Sequence, residues 1–133
     1  MSTDWVKDIN EMHTKYGVHE AVKKMDADQL IEFLAFRLNF LHEELTETRQ
    51  AAHLSKRNNE EIVDGLIDLC VVAIGTLDAF NVDAYKAWDE VLKANMNKEV
   101  GIKESRPNPL GLPDLIKPEG WVGPDHTGNT GKF

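Results

Sequence analysis

The stretch EEIVDGLIDLCVVAIGTLDAF, residues 60–80, decides the fold of this chain. Its apolar residues recur at helical spacing and cover most faces of the helix that they predict. Such a helix belongs at the centre of a helical assembly, because a peripheral helix is apolar on one side only. Asn58, followed three residues later by Glu61, resembles a capping box and indicates where this helix begins.

Three further helices are predicted around this central helix. The first ends at Gly17, the second runs from Asp26 or Asp28 to about residue 53, and the last follows Asp83. The last helix is expected to include AYKAWDEVLKANMNKEV, residues 84–100. No run of alternating apolar and polar residues predicts a sheet. The sequence therefore predicts an all-α protein whose core resembles a four-helix bundle.

The composition changes near residue 100. All five prolines and six of the nine glycines lie beyond it, so that part of the chain is not predicted to be helical. We therefore predict a helical domain over residues 1–100 and an irregular, Pro/Gly-rich tail over residues 101–133. The tail is too apolar for a free linker and is expected to pack on the helices or on a neighbouring subunit.

Charge and cysteine content exclude several classes of function. The net charge of -8 argues against a nucleic-acid polymer or an anionic membrane as the main partner, because both would repel this surface. The single cysteine, Cys70, allows no internal disulfide and fits a reducing compartment. The N-terminus lacks the apolar segment of a signal peptide. We therefore expect a cytoplasmic protein.

Acidic residues form two stripes on the predicted helices. In the second helix, Glu43 and Glu44 both lie three or four residues from Glu47 and so share a face with it. Three more carboxylates share one face of the central helix: Glu61, Asp64 and Asp68. Asp68 has mainly apolar neighbours, and a carboxylate buried there has to be protonated, paired or bound to a cation.

The two stripes would face each other if the second and central helices pack antiparallel through their short connection. An oxygen-only site of this kind suits a hard divalent cation, Mg²⁺ or Mn²⁺. For any one of these residues taken singly, a solvated surface carboxylate is the alternative. A di-iron site is not expected, because it needs Glu-x-x-His pairs and no histidine here lies three residues after a glutamate.

Two segments resemble a known superfamily. HEELTETRQA, residues 42–51, and EEIVDGLIDLCVVAIGTL, residues 60–77, resemble the all-α nucleoside triphosphate pyrophosphohydrolases, whose signature is E-E-x-x-E followed by E-x-x-D. This superfamily includes MazG, dimeric dUTPases and phosphoribosyl-ATP pyrophosphohydrolase. The chain most resembles the MazG-like and phosphoribosyl-ATP pyrophosphohydrolase-like branch that bacteriophages often carry. Three further segments fit that branch: FRLNFLHEE, AWDEVLKANMNK and LPDLIKPEGW.

The resemblance implies roles for the first stripe. Glu43, Glu44 and Glu47 match E-E-x-x-E, which implies that all three are catalytic, that Glu44 and Glu47 are metal ligands, and that Glu43 lies near the metal or the attacking water. The implied cofactor is Mg²⁺ or Mn²⁺, with two or three ions per site. These ions would neutralise a triphosphate and activate the water, and Glu43 or Glu47 could accept its proton.

The second stripe departs from the family pattern. Glu61-x-x-Asp64 satisfies E-x-x-D literally, but the apolar run that normally follows the aspartate begins after Asp68. Counted back from Asp68, the expected glutamate position holds Gly65. The metal ligands on this helix are therefore expected among Glu61, Asp64 and Asp68, with Asp64 and Asp68 favoured.

The implied reaction is water attack on the α-phosphorus of a nucleoside or deoxynucleoside triphosphate, giving the monophosphate and pyrophosphate. Asn95 and Lys98 resemble substrate-binding residues of the branch, and their spacing predicts one helix face. Lys98 could equally be an ordinary exposed lysine near a helix end. Arg37, on the stripe of Glu44, is a further candidate for substrate binding or for an ion pair.

The sequence leaves alternatives for the oligomeric state, for the function and for the substrate. The resemblance and the many apolar faces of the central helix predict a homodimer or homotetramer. A non-hydrolysing nucleotide-binding or assembly module is the alternative to the enzyme, because Gly65 stands where a ligand is expected. Within the enzyme class, phosphoribosyl-ATP is the alternative substrate.

Overall fold

A computed structural model describes residues 1–111 and 113–133 of the chain. The elements of secondary structure follow one another in this order: α1 Trp5–Lys15, α2 Val18–Lys23, α3 Ala27–Ala51, a 3₁₀ turn Leu54–Lys56, α4 Asn59–Ala79, α5 Ala84–Met96, β1 Glu99–Gly101 and β2 Asp114–Ile116. The predicted all-α class is confirmed. None of the helices in the described part of the chain is long and apolar enough to cross a membrane.

The chain forms two compact units. The first contains Met1–Ala84 and Thr130–Phe133, and the second contains Tyr85–Asn129. This division lies at residue 84, whereas the sequence places the change at residue 100. The reason is that the residues after α5 pack on α5, so the compact unit includes both.

Three features differ from the sequence-based expectation: helix α2, the end of the last helix and the short sheet. Helix α2 is not predicted, because its six residues are too few to show a period, and it starts directly after Gly17, whose φ of 74° breaks the preceding helix. The last helix ends at Met96 instead of residue 100. The expected absence of a sheet is wrong, since β1 pairs antiparallel with β2. Strands of three residues are too short to show alternation.

The starts of the two long helices follow from their caps. Asp26 and Gln29 form a reciprocal capping box at the start of α3. At α4 the Asn58 side chain accepts the backbone N–H of Glu61 at 3.2 Å. Each cap satisfies a donor that would otherwise lack a helical partner. The predicted starts at Asp26 and Asn58 are confirmed.

Helices α3 and α4 pack antiparallel, which is the condition under which the two acidic stripes face each other. Early in α3, the Arg37 guanidinium donates to the Thr76 hydroxyl at 3.0 Å and to the Val72 carbonyl at 2.9 Å, both late in α4. At the other end of the pair, Thr48 of α3 lies against Gly65 of α4. The pairing therefore runs in opposite directions along the two helices.

Gly65 is a point of close approach between these helices. A Cβ atom at this position would lie 2.1 Å from the Thr48 hydroxyl oxygen and 3.1 Å from the Thr48 Cβ. The hydroxyl is also held in place, since it donates to the Glu44 carbonyl at 2.7 Å. Gly65 is thus required by helix packing, which is a physical reason for its position in the second motif.

The C-terminal residues complete the core of the first unit. Phe80 and Val22 are its largest fully buried side chains. The Phe80 ring stacks on Phe33 and on Phe133, with centroids 5.6 and 4.4 Å apart. The Lys132 N–H donates to the Phe80 carbonyl at 2.8 Å. The last residues are therefore part of the helical unit and not of a free end.

Within the first unit, the N-terminal half of α4 is not covered. The exposed fractions of Val63, Leu66 and Ile67 are 65%, 53% and 45%. The expectation that α4 is central holds for its C-terminal half only, where Val72 and Ala79 are buried. The predicted homodimer or homotetramer, which would cover these side chains, stays a prediction.

The second unit is built on α5. The Trp121 indole N–H donates to the Ala94 carbonyl at 2.8 Å, and the Asp125 N–H donates to the Glu90 carboxylate at 3.1 Å. The irregular segment is therefore anchored on α5 by a tryptophan, which buries a large side chain while satisfying its polar atom.

Gly65→Ala tests the contact between α3 and α4. Alanine normally stabilises a helix interior by about 1 kcal/mol relative to glycine. Here the new methyl would overlap Thr48, so we expect a loss of about 1–3 kcal/mol in the free energy of unfolding. Urea denaturation followed by circular dichroism measures it. Thr48→Ala should recover part of the loss in the double variant, and a Gly65→Ala protein more stable than wild type would contradict the close contact.

Candidate active site on helices α3 and α4

The predicted carboxylates lie on the facing helices α3 and α4. Glu44 and Asp68 are partly buried. The others on the two stripes are exposed: Glu43, Glu47, Glu61 and Asp64. A partly buried carboxylate on each helix, flanked by exposed ones, gives a site that is open to solvent and has its centre between the helices.

The electrostatics of Glu44 show which carboxylates are close to it. Burial raises the pKa of Glu44, and the negative charges of Asp68, Glu47, Asp64 and Glu43 raise it further, in that order. The antiparallel packing thus brings together all three glutamates of α3 and both favoured aspartates of α4. Glu61 lies near the start of α4, one turn before Asp64.

These residues fit a hard divalent cation. Glu44 and the four groups around it all offer carboxylate oxygens, which are the ligands that Mg²⁺ and Mn²⁺ prefer. Without a cation the group is repulsive, because several negative charges share a small region. A cation bound among them would remove that repulsion, so the charge distribution itself favours metal binding.

The structure also places the three predicted substrate residues. The partly buried guanidinium of Arg37 donates hydrogen bonds to α4, and this partial burial lowers its pKa. Asn95 is exposed in the last turn of α5. Lys98 lies beyond the end of α5 at Met96, so the expectation that Asn95 and Lys98 share one helix face is wrong. The helix ends there because the chain turns into β1. Roles of all three in substrate binding stay predictions.

The Lys98 ammonium instead lies over an aromatic ring. Its Nζ is 5.4 Å from the centroid of Trp121, and the Nζ of Lys117 is 4.9 Å from the same ring. Two cations on one indole stabilise its position by cation–π attraction. Trp121 also lines a cavity of about 590 Å³ within the second unit, together with Lys93 and Asn97.

A second polar cluster was not predicted. Asp78, near the end of α4, contacts two histidines through one oxygen: His13 Nδ1 at 2.8 Å and His19 Nε2 at 2.7 Å. Its other oxygen accepts the Asn10 amide at 2.8 Å. Asp78 lies in the same apolar run as Asp68. The argument that a carboxylate among apolar residues needs a partner pointed to Asp68, and it could also have pointed to Asp78.

Hydrogen bonds keep Asp78 ionised. Burial alone would raise its pKa, but the bonds to Asn10, His19 and His13 outweigh burial, and the pKa lies below its ordinary value of 3.8. The carboxylate is therefore a buried negative charge with three polar neighbours. It joins α1 and α2 to the end of α4.

An all-α fold with facing acidic stripes on an antiparallel helix pair defines the class of the MazG-like all-α nucleoside triphosphate pyrophosphatases. Residues 18–95 match the family model described as PRA-PH, phosphoribosyl-ATP pyrophosphohydrolase. The match covers more than half of the chain, and the chain therefore belongs to this family. No curated protein and no solved structure matches the chain significantly.

Membership of this family indicates the general class of reaction that the protein catalyses. Members of the family are nucleotide pyrophosphohydrolases that in general depend on divalent metal, so this protein is an enzyme of that kind. The matched region contains both carboxylate stripes and Asn95, and it ends before Lys98. The superfamily resemblance read from the sequence is confirmed.

Glu44→Gln is expected to stabilise the metal-free protein. A raised pKa means that the folded state favours protonated Glu44, so the ionised side chain opposes folding at neutral pH. Removing the charge should raise the thermal unfolding midpoint at pH 7 on the order of 2 °C. The gain should vanish below the ordinary value of 4.5, where both proteins are neutral at this position.

Calorimetry in the presence of a chelator, at pH 7 and pH 4, makes this measurement. Glu32→Gln, which removes an exposed glutamate from the same helix, is the matched control and should leave the midpoint unchanged. A Glu44→Gln protein that is less stable than wild type at pH 7 would show that the carboxylates do not repel one another.

Asp78→Asn is expected to destabilise the protein, in contrast to Glu44→Gln. The folded pKa lies below the unfolded one, so the ionised carboxylate contributes stability that is complete above the unfolded value near 3.8 and is lost as the pH falls through the folded value. We expect a loss of about 1–3 kcal/mol at pH 7, shrinking below pH 3.8. Urea denaturation at a series of pH values tests it, and a loss that does not change with pH would argue against the ionised state.

Proposed function

We propose that the protein hydrolyses a nucleoside or deoxynucleoside triphosphate to the monophosphate and pyrophosphate, with Mg²⁺ or Mn²⁺ as cofactor. The observation that carries the proposal is the convergence of four carboxylates on Glu44 between antiparallel helices. It occurs in a chain whose family consists of pyrophosphohydrolases. A site of this charge cannot bind a polyphosphate directly, because two sets of negative charges would repel each other.

The carboxylates of the site differ in burial, and we propose different roles for the partly buried and the exposed ones. Glu44 and Asp68, the partly buried pair, are placed to hold cations between the helices, with Glu47 and Asp64 completing the oxygen ligands. When bound, the divalent cations neutralise the phosphates and lower the pKa of a water. Glu43 is exposed beside this group and is placed to accept a proton from the attacking water, with Glu47 as the alternative.

Gly65 no longer favours a non-hydrolysing module. The sequence places glycine where the family pattern has a ligand, which suggests a lost site. The contact with Thr48 gives this glycine a packing role instead. Asp64 and Asp68 lie on either side of it and are both among the neighbours of Glu44, so the helix keeps two candidate ligands.

Phosphoribosyl-ATP is the second candidate substrate, and the family description favours it. Its triphosphate offers the same bond between the α- and β-phosphorus, so the carboxylate site serves either substrate. The two differ in what surrounds the phosphates. The roles that we propose for Arg37, Asn95 and Lys98 in substrate contact therefore concern selectivity and not the bond that breaks.

A pyrophosphate-release assay tests the proposal. The purified chain is offered the eight standard ribo- and deoxyribonucleotides, dUTP and phosphoribosyl-ATP, with Mg²⁺, with Mn²⁺ or with a chelator. We expect metal-dependent release of pyrophosphate, not of orthophosphate, from at least one nucleoside triphosphate. Glu44→Gln and Asp68→Asn should lower kcat by at least about 100-fold, because each removes a charge that holds the cation.

The matched control is Glu32→Gln, which changes a glutamate of α3 outside the cluster and should keep full activity. Turnover of phosphoribosyl-ATP alone would replace the proposed substrate by the second candidate. Absence of pyrophosphate from every substrate, with tight nucleotide binding by calorimetry, would show a binding module.

A further inference from the structure

A second group of metal-ligand atoms lies at the opposite end of α4 from the carboxylates. His13 of α1, His19 of α2 and Asp78 of α4 each offer one ligand atom, and these atoms all lie within 4.8 Å of one another. Asp78 follows Asp68 by ten residues, which is about 15 Å along the helix. The group is therefore separate from the site of the proposed reaction.

The three side chains differ in exposure in a way that suits a ligand site. The side chains of His13 and Asp78 are 6% and 11% exposed, while that of His19 is 28% exposed. The first two are held by the core, and the third is open to solvent. An ion could therefore enter at His19 and reach ligands that are already in place.

The choice of donors distinguishes this group from the carboxylate site. Two imidazole nitrogens and one carboxylate oxygen are the ligands that Zn²⁺ takes in sites with three protein ligands, whereas Mg²⁺ prefers oxygen alone. We propose that His13, His19 and Asp78 bind one Zn²⁺ ion, or a divalent transition metal of similar chemistry, through His13 Nδ1, His19 Nε2 and Asp78 Oδ2, with water at a fourth position.

The two contacts to Asp78 are compatible with this assignment after a small expansion, and the two histidine nitrogens lie within 4.8 Å of each other. The two nitrogens lie 2.8 and 2.7 Å from Asp78 Oδ2, as hydrogen bonds. In a tetrahedral site with metal–ligand bonds of about 2.0–2.1 Å, neighbouring ligand atoms lie roughly 3.3 Å apart. Each contact must open by about half an ångström. In each neutral imidazole the proton on the coordinating nitrogen moves to the other ring nitrogen when the ion takes its place, because a ligating histidine carries its proton on the nitrogen that does not bind the metal.

A supporting hydrogen bond fixes the carboxylate. The Asn10 amide donates to Asp78 Oδ1 at 2.8 Å, which leaves Oδ2 facing the two imidazoles. Bonds of this kind orient the ligands of metal sites and strengthen binding. The ion would connect three helices that otherwise meet through hydrogen bonds, so binding should stabilise the folded state.

Direct metal binding tests the site without reference to catalysis. The full chain, without an affinity tag and freed of metal with a chelator, is titrated with Zn²⁺ against a chromogenic competitor and separately with Co²⁺. We expect one Zn²⁺ per chain, visible absorption bands from Co²⁺ in a low-coordinate nitrogen and oxygen site, and a higher unfolding midpoint with Zn²⁺. Excess Mg²⁺ should not displace the ion.

His19→Gln is the decisive variant, because this side chain is the most exposed of the three and glutamine can still donate to Asp78. It should fold and bind Zn²⁺ at least about 100-fold more weakly, since outer-sphere changes alone cost about 10–100-fold. Asp78→Asn should do the same. His126→Gln, which removes a histidine of the second unit, and Glu44→Gln should both bind Zn²⁺ like the wild type.

Two results would overturn the proposal. If Glu44→Gln abolishes Zn²⁺ binding and His19→Gln does not, the ion binds the carboxylates of α3 and α4. If His19→Gln lowers the unfolding midpoint equally with and without Zn²⁺, the cluster is a hydrogen-bond network only. Neither result bears on pyrophosphate release, which is measured with Mg²⁺ at the other site.

Discussion

The close antiparallel contact between α3 and α4 is the constraint on which the rest of the structure depends. It is possible because Gly65 has no side chain and because the Thr48 hydroxyl bonds back to the Glu44 carbonyl of its own helix. The same contact sets the spacing of the candidate site. Glu44 lies one turn before Thr48, and the aspartates at 64 and 68 flank Gly65. The residue that lets the helices approach therefore also decides which carboxylates meet.

This arrangement works against the stability of the metal-free protein. Packing the helices closely partly buries Glu44 among like charges, and both the burial and the repulsion raise its pKa. Functional sites commonly oppose the rules that stabilise the rest of a fold. A divalent cation changes the sign of the effect, because the same charges that repel one another attract it. The proposed dependence on metal therefore follows from how the helices pack.

The two aspartates in the apolar part of α4 show that surroundings, and not residue type, decide the role of a carboxylate. Asp68 faces other carboxylates and raises the pKa of Glu44. Asp78 faces an amide and two imidazoles, and its own pKa is lowered. Each of these aspartates stands among apolar residues of α4, so the sequence pattern alone does not distinguish them. The helices that pack on either end of α4 make one suited to hard cations and the other to a borderline metal.

The sequence by itself determined what depends on neighbours along the chain. Helical periodicity and the side-chain caps at Asp26 and Asn58 predicted both long helices, since these signals are local. The spacing of acidic residues predicted two stripes, and the short connection between the two helices allowed an antiparallel pairing in which these stripes face each other. The family followed from the same segments. These features together account for the candidate site on α3 and α4.

The tertiary structure decided what depends on residues far apart in sequence. No local pattern shows that Gly65 meets Thr48, that His13 and His19 meet Asp78, or that the chain leaves α5 before Lys98 to form a strand. The physical reason is that packing and hydrogen bonds between distant segments leave no period in the sequence. They form only once the helices are in contact, and they then override the local preference.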